Sequence, residues 1–327
     1  MPVWNEEKYI NKALSSILKQ TFEDFEIIIV DDCSTDKTPE IIKKFKNHDS
    51  RIKCLKTPIN SGTGYALNLG FSIATGQYQT WFAGDNWMNQ DCLEELNNAL
   101  DKNPNVIMAY GDCLVLKKNE FKYLKSCDFE KKTVRQNVSM GNFWLFRKEA
   151  KEKAGDYISD ICEDYYMHVV MSEIGDFIRI PKSLGVYRFH EKNLTNRIAI
   201  HRIAGPIKTV RSLARYKVAK YKIIYISNTF SKSALDYIDM FNRLTDEFGV
   251  RYISDLKESD LILGVNDDEI QKILKDCDLV HAEQSKIKNL KFYCPVVYGK
   301  WEADENLIKK YKSNYFKMIF QNKIAMI

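Results

Sequence analysis

A chain of 327 residues, 45% of them hydrophobic, is long enough for about two domains with ordinary cores. A net charge of +5, with lysines interspersed among acids, is too mild to mark a nucleic-acid binder, so no nucleic-acid partner is expected; it permits loose contact with an anionic membrane surface. The eight cysteines form no C-x-x-C pair, no signal peptide is evident and no apolar run approaches about 18 residues, so the chain reads as cytoplasmic, at most peripheral at the inner face of a membrane, without structural zinc.

Met1-Pro2-Val3-Trp4-Asn5-Glu6-Glu7 leads straight into a predicted helix with Ile10, Ala13, Leu14, Ile17 and Leu18 on its apolar face. Asn5 suits its N-cap, and Glu6 and Glu7 its first turn. Phe25 to Val30 reads as a buried strand, Asp31 to Lys37 as a polar turn, and Pro39 to Phe45 as a short helix with proline at a favourable first position. A strand at Ile52 to Leu55 follows, then a helix over Ala66 to Ala74, then a strand from Tyr78 to Phe82 that ends at Gly84-Asp85-Asn86. Alternating strands and helices predict an α/β fold with a mostly parallel sheet. The rhythm continues with a helix through Leu100, a strand at Val106 to Tyr110 and an apolar run at Phe143 to Phe146. Leu114 to Lys132 is charged and reads as strands or loops. A helix over Cys162 to Ser172 and extended segments at 177–180 and 186–189 complete a first domain of residues 1–200.

Residues 201–221 form a basic, helical connector carrying Arg202, Lys208, Arg211, Arg215, Lys217 and Lys220. It is either a solvated linker or an amphipathic patch resting on anionic lipid. Residues 222–327 carry a second α/β rhythm: strands at 222–227, 250–253, 261–265 and 279–282, with helices at 234–248 and 267–274. This is a Rossmann-like module without a G-x-G-x-x-G fingerprint, and the lack of a stop signal at Ile327 reads as an incomplete module.

Asp31-Asp32 directly after a buried strand lies where ligands meet open α/β sheets, and a carboxylate there can accept bonds from a base or from ribose hydroxyls; a turn or cap is the alternative. In the series Asn60-x-Gly62-x-Gly64-x-Ala66-x-Asn68-x-Gly70, small residues let a helix start close to a ligand, although packing alone accounts for Gly70, Ala74 and Gly76.

The ordered set P-V-W-N-E-E, S-I-L-K-Q-T-F-x-D-F-E-I-I-I-V-D-D-x-S-T-D and the Asn/Gly series resembles glycosyltransferase family 2, over about residues 1–195. The resemblance implies a GT-A nucleotide-diphospho-sugar transferase domain and an inverting enzyme. It places the sugar-nucleotide donor against Pro2, Val3, Asn5, Glu6, Asp31, Asp32, Asn60, Gly62 and Gly84. The family's Asp-x-Asp-type cluster is reduced here to Ala83-Gly84-Asp85, which leaves Asp85 to hold Mn²⁺ or Mg²⁺. A hard cation accepts one carboxylate together with the donor's phosphate oxygens. Cys162-Glu163-Asp164 and the later Tyr187-Arg188-x-His190 look like the family's E-D and Y-R-x-H segments. By resemblance Asp164 is the catalytic base, Glu163 its neighbouring acceptor or orienting contact, and His190 a further metal ligand, with simple capping or a structural histidine as the alternatives. Trp4, Trp87 and Trp144 are candidate aromatic platforms, Trp144 the best of them for the acceptor. The acceptor expected is a glycan or a lipid-linked molecule, and the Lys/Ile/Asn-rich composition is compatible with bacterial polysaccharide biosynthesis.

Relatives normally carry an apolar strand before P-V-x-N. Only Met1 precedes it here, so the expectation is either an upstream start or a sheet lacking its first strand. Two rival readings stand beside the transferase: a non-catalytic sugar-nucleotide-binding protein, which the reduced acidic cluster favours, and a sugar-phosphate nucleotidyltransferase, whose early glycine-rich basic loop is missing.

Overall fold

The computed structural model describes residues 1–136, 140–157, 163–191, 193 and 217, together with the backbone of 221–227, 248–254, 279–282 and 296–298. The chain divides into two compact units, Met1–Ala199 and Ile200–Ile327.

The first unit opens with a parallel sheet of β1 (Pro2–Val3), β2 (Ile27–Asp31) and β3 (Ile52–Lys56), in that order. α1 (Ile10–Leu18) buries Ile10, Ala13, Leu14 and Ile17, the face its period predicts. It starts later than expected. The Glu6 carbonyl accepts from the N–H groups of Tyr9 and Ile10, so Tyr9 holds the N-cap position. Asn5 is drawn away instead, at φ 55°, by bonds to Ser34 and Thr35. α2 (Thr38–His48) carries Pro39 in its first turn, and α3 (Thr63–Ser72) begins after Gly62, whose φ of 87° favours glycine.

The sheet does have a first strand, two residues long. The Met1 amine donates to the Ile28 carbonyl at 2.8 Å, and Pro2 and Val3 pair with Val30 and Asp31. Next to it a groove of about 630 Å³ opens, walled by Glu26, Ile27 and Ile28 on one side and by Tyr78, Thr80 and Phe82 on the other.

Beyond α3 the chain builds a second, mixed sheet. Its members are β4 (Tyr78–Gln79), β5 (Trp87–Met88), β6 (Val106–Lys117), β7 (Glu120–Leu124), β8 (Trp144–Arg147) and β9 (Asp176–Phe189). The order is β4-β8-β6-β9-β5, with β7 paired to β6. Only β6 and β9 run parallel, which departs from the mostly parallel sheet expected of this half. β4 stops at Gln79 because only Tyr78 and Gln79 find partners on β8. The charged stretch is a hairpin whose two-residue turn puts Lys118 and Asn119 at φ 48° and 65°, the geometry that suits strand twist. β9 is one strand, not two. Ile180 pairs with Gly111 and Ser183 with Asp112, so Pro181 falls in a bulge and removes no ladder bond.

The helices α4 (Cys92–Lys102), α5 (Lys131–Gln136), α6 (Lys148–Ala154) and α7 (Glu163–Ile174) complete the unit, α5 and α6 being additions to the sequence reading. Leu14, Ile29, Leu96, Leu100, Met108 and Phe143 are among its fully buried core residues or nearly so. Packing is close at Gly185, where an added Cβ would sit 2.6 Å from the Trp87 carbonyl and overlap the Phe143 ring. Gly185→Ala is therefore expected to destabilise by about 1–3 kcal/mol, measured by urea unfolding.

In the second unit β10 (Tyr221–Ser227), β11 (Phe248–Ser254), β12 (Leu279–Ala282) and β13 (Val296–Tyr298) form a parallel sheet in the order β11-β10-β12-β13. β13 is new to the reading. The predicted strand 261–265, the helices 234–248 and 267–274, and the connector apart from Lys217 and Tyr221 lie outside the described residues.

Candidate active site

The carboxyl ends of β1, β2 and β3 are laced together by side chains from the motifs. Asn5 N–H donates to Ser34 Oγ at 3.0 Å, Thr35 N–H to Asn5 Oδ1 at 2.8 Å, and Glu6 N–H to Thr38 Oγ1 at 2.8 Å. Asp31 Oδ1 accepts from Ser34 N–H. Asp32 holds the next loop: Oδ1 accepts from Thr57 Oγ1 at 2.7 Å and Ser61 N–H at 2.9 Å, and Oδ2 from Gly62 N–H at 2.8 Å. Both acids are buried and engaged, so they shape the 31–38 and 57–62 loops rather than standing open to solvent. Asn60 is exposed beside them, as are Ile59 and, one turn into α3, Tyr65.

Gly84 brings the Asp85 segment onto these loops. A Cβ there would lie 3.2 Å from both Val3 Cγ1 and Glu6 Cγ, so a side chain would push the two apart. Asp85 itself is buried. Its Oδ2 accepts from Asn193 Nδ2 at 3.0 Å and lies 3.1 Å from His190 Nε2, whereas Oδ1 has no partner. A buried carboxylate oxygen without a hydrogen bond is costly, and here it fits a cation. The donor set is one carboxylate and one imidazole, a mixture Mn²⁺ tolerates better than Mg²⁺ does. Among the described residues no three His, Cys, Asp or Glu side chains form a closed metal site, so other ligands would have to come from a bound molecule.

Three neighbours of Asp85 escape the sequence reading as site residues. Arg188 Nε donates to the Asp85 carbonyl at 3.0 Å, and its guanidinium lies 4.7 Å from the Tyr9 ring and 4.8 Å from that of Trp87. Tyr9 in turn packs 4.7 Å from His190. Asn193 follows His190 by three residues, and its Oδ1 accepts from the His190 N–H. The Y-R-x-H segment pointed to this place; the asparagine beyond it carries no pattern of its own. Lys12 Nζ lies 3.2 Å from the Trp87 centroid, so two cations flank that indole.

Glu163 and Asp164 open α7. Asp164 is half-buried, and burial raises its pKa above the ordinary carboxylate value even though its Oδ1 accepts the Tyr165 N–H at 2.7 Å. The Tyr157 phenol is pushed well up, first by burial and then by the charges of Asp164 and Glu163. Tyr157 is tied to α3 through two bonds with Asn68, at 2.8 and 2.9 Å. α3 thus joins the Asp32 loop at its start to the Asp164 end of α7.

Trp144 is only 4% exposed. Its ring packs edge-on against Trp81 and against His168, one turn beyond Asp164 on α7. The indole is thus held between Trp81 and His168, with little face to offer an acceptor. His168 is buried with Nδ1 unpartnered, and burial lowers its pKa to about 3, so it stays neutral. Cys162, before the acids, lies outside the described residues.

Comparisons with known proteins agree with this architecture. The family description "Glycosyl transferase family 2" matches residues 1–155. An uncharacterized glycosyltransferase of Haemophilus influenzae is 38% identical over 112 residues, covering 34% of this chain and 44% of its own. The hyaluronan synthase of Pasteurella multocida is 24% identical over 334 residues, covering 98% of this chain and 31% of its own. The chain thus spans less than half the length of these two relatives. Among solved structures, residues 1–349 of S. aureus TarS in complex with UDP-GlcNAc superpose with a TM-score of 0.58 at 18% identity, over 74% of this chain and 70% of that one. A mannosyltransferase from Pyrobaculum calidifontis in complex with GDP-Man and Mn²⁺ gives 0.51 at 20% identity, over 65% and 62%. The chain therefore shares the GT-A-like fold of these glycosyltransferases, and residues 1–155 match the description of glycosyltransferase family 2. No helix among the described residues is long and apolar enough to cross a membrane.

Proposed function

We propose that the first unit is an inverting transferase that moves a sugar from a nucleoside-diphosphate donor to a hydroxyl of a glycan or lipid-linked acceptor, in the synthesis of a cell-surface polysaccharide. The observation that carries this reading is the partnerless Oδ1 of Asp85, a buried carboxylate whose other oxygen, Oδ2, meets His190 and Asn193. Asp85 and His190 would hold Mn²⁺ or Mg²⁺, which when bound supplies positive charge to the departing diphosphate. The donor's nucleoside would lie along Pro2, Val3, Asn5 and Glu6 and the Asp31/Asp32 and Asn60/Gly62 loops.

Asp164 is the base. The acceptor oxygen attacks the anomeric carbon as its proton passes to the Asp164 carboxylate, and the bond from that carbon to the diphosphate oxygen breaks from the opposite face. One displacement inverts the centre. Glu163 accepts a bond from the acceptor and orients it. The names of two relatives support the polymer class: TarS of Staphylococcus aureus is a poly(ribitol-phosphate) beta-N-acetylglucosaminyltransferase, and the Pasteurella protein a hyaluronan synthase.

Melting curves with a panel of UDP- and GDP-sugars, with and without Mn²⁺, test the reading. A true donor at about a hundred times its Kd adds about 2.7 kcal/mol of stability. Asp85→Ala is expected to remove the Mn²⁺-dependent part of that gain and to weaken the donor about tenfold or more. A wild-type gain independent of Mn²⁺ and of Asp85 overturns the metal assignment. Donor binding without transfer to any acceptor would favour the non-catalytic binder, which Ala83 in the acidic cluster favours.

A further inference from the structure

From Lys117 to Lys125 the tip of the β6–β7 hairpin is exposed without interruption. Phe121, Tyr123 and Leu124 are 58%, 51% and 38% exposed, an unusual concentration of apolar surface on one short strand. Lys117, Lys118, Lys122 and Lys125 surround them, against the single Glu120. Among the described residues none of the four lysines pairs with a carboxylate, and β7 has no strand on its outer edge.

We propose that this hairpin is the face by which the protein rests on an anionic lipid surface. Phe121 and Leu124 enter the headgroup region, the exposed part of the Tyr123 ring rests against it while the hydroxyl stays bonded to Asp112, and the lysines meet lipid phosphates while their alkyl stems lie along the apolar side chains. Each lysine near such a surface adds attraction that falls off within a Debye length. The same lysines argue against a second copy pairing along β7, since like charges would then face each other across the new ladder.

The hairpin's place in the sheet gives the docking a purpose. Leu116 is in register with Phe121 on one side and with Arg188 on the other, and Phe121 packs edge-on against Trp87 at 6.5 Å. Arg188 is bonded to the Asp85 carbonyl. Two strand spacings, roughly 10 Å, therefore separate β7 from the strand that carries Arg188 and leads to His190. The resting face would hold the transfer site close to an acceptor anchored in lipid. That consequence rests on the function proposed above; the binding does not.

The test is co-sedimentation of the full chain with vesicles of phosphatidylcholine, with and without phosphatidylglycerol, in the absence of any donor. Binding is expected only with phosphatidylglycerol, and to weaken as salt rises. Lys118→Glu/Lys122→Glu should cut vesicle affinity by about tenfold or more, because both side chains are exposed and the fold does not need them. Leu124→Ser should weaken it further, with an unchanged melting temperature serving as the check on folding. Absence of vesicle binding, equal binding to neutral vesicles, or full binding by the Lys118→Glu/Lys122→Glu protein overturns the proposal. So does concentration-dependent dimerisation abolished by those substitutions, which would assign the edge to a second copy. Donor affinity, measured separately, reports on the transferase reading alone.

Discussion

Asp164→Asn is expected to lower transfer about 10²- to 10⁴-fold, the range for loss of a positioned base, while leaving donor affinity near the wild-type value. An amide keeps the shape of the side chain and loses its ability to take a proton. The wild-type carboxyl has its pKa raised by burial, so the ionised base should appear, and kcat/KM rise, at a pH above the ordinary aspartate range. Stability moves the other way. A carboxyl whose folded pKa is raised binds its proton more tightly in the folded chain, so its contribution is fully present below the unfolded value of about 3.9 and is lost as pH rises through the folded value. The asparagine protein lacks that loss. Its melting temperature should equal or exceed the wild type's at neutral pH, and the two curves should converge in acid. A residue that merely caps α7 through its bond to Tyr165 would leave transfer unchanged in the asparagine protein, because the amide oxygen accepts the same N–H. Paired melting and pH-rate profiles separate the two roles, and turnover by the asparagine protein at the wild-type rate would remove Asp164 from the chemistry.

The parts of the fold that the sequence makes legible are those where one physical signal dominates. Ile10, Ala13, Leu14 and Ile17 repeat at helical spacing and are buried together. Ile27 to Val30 is an uninterrupted apolar run and forms β2. What stays hidden depends on partners distant in sequence. Asn5 looks like a cap until Ser34 and Thr35, about thirty residues on, claim it. Pro181 reads as the end of a strand, because only the opposite register with Gly111 and Asp112 reveals the bulge that tolerates it. Lys118-Asn119 carries no glycine, so a turn with two positive φ values leaves almost no trace. In the site, Asp85 and His190 are legible as chemistry-bearing types within ordered motifs, and the structure brings them within 3.1 Å. Asn193 is legible only through the atoms it touches, and Asp31 and Asp32 look alike in sequence as ligand acids, yet Asp31 accepts from Ser34 in its own loop while Asp32 spends both oxygens on the 57–62 loop.

The largest effect on stability is expected at Asp112, which no motif marks. It lies on β6 with no exposed surface. Arg179 of β9 meets it with two bonds, Nε at 2.9 Å and Nη2 at 2.6 Å, while Tyr123 of β7 donates its hydroxyl and Ser126 its N–H. Three strands and the loop after β7 converge on one carboxylate. Burial alone would push its pKa up, but the bonds from Arg179, Tyr123 and Ser126 hold it below the ordinary value. Asp112→Ala leaves the nearly buried Arg179 guanidinium only the exposed Asp128, at 3.1 Å, and takes the acceptor from Tyr123 and from the Ser126 N–H, which should cost about 3 kcal/mol. Replacing both partners with apolar residues of similar size, Asp112→Leu with Arg179→Met, should recover only part of that loss, since it removes the poorly paired charge but not the unmet Ser126 N–H. Because the folded pKa is lowered, the stabilisation is present above about pH 3.9, the unfolded value, and is lost as pH falls through the folded one. Urea unfolding at pH 7 and pH 3 should therefore bring the wild type and Asp112→Ala closer together in acid. The effect should also reach the turn before Trp144: Ser126 Oγ donates to the Gly111 carbonyl, and Gly141, at φ 79°, packs on that same carbonyl and hydroxyl. A chain that stays folded after partial loss of this cluster should keep any gain in melting temperature from a nucleotide-sugar, because the loops around Asn5 and Asp32 are held by a separate set of bonds.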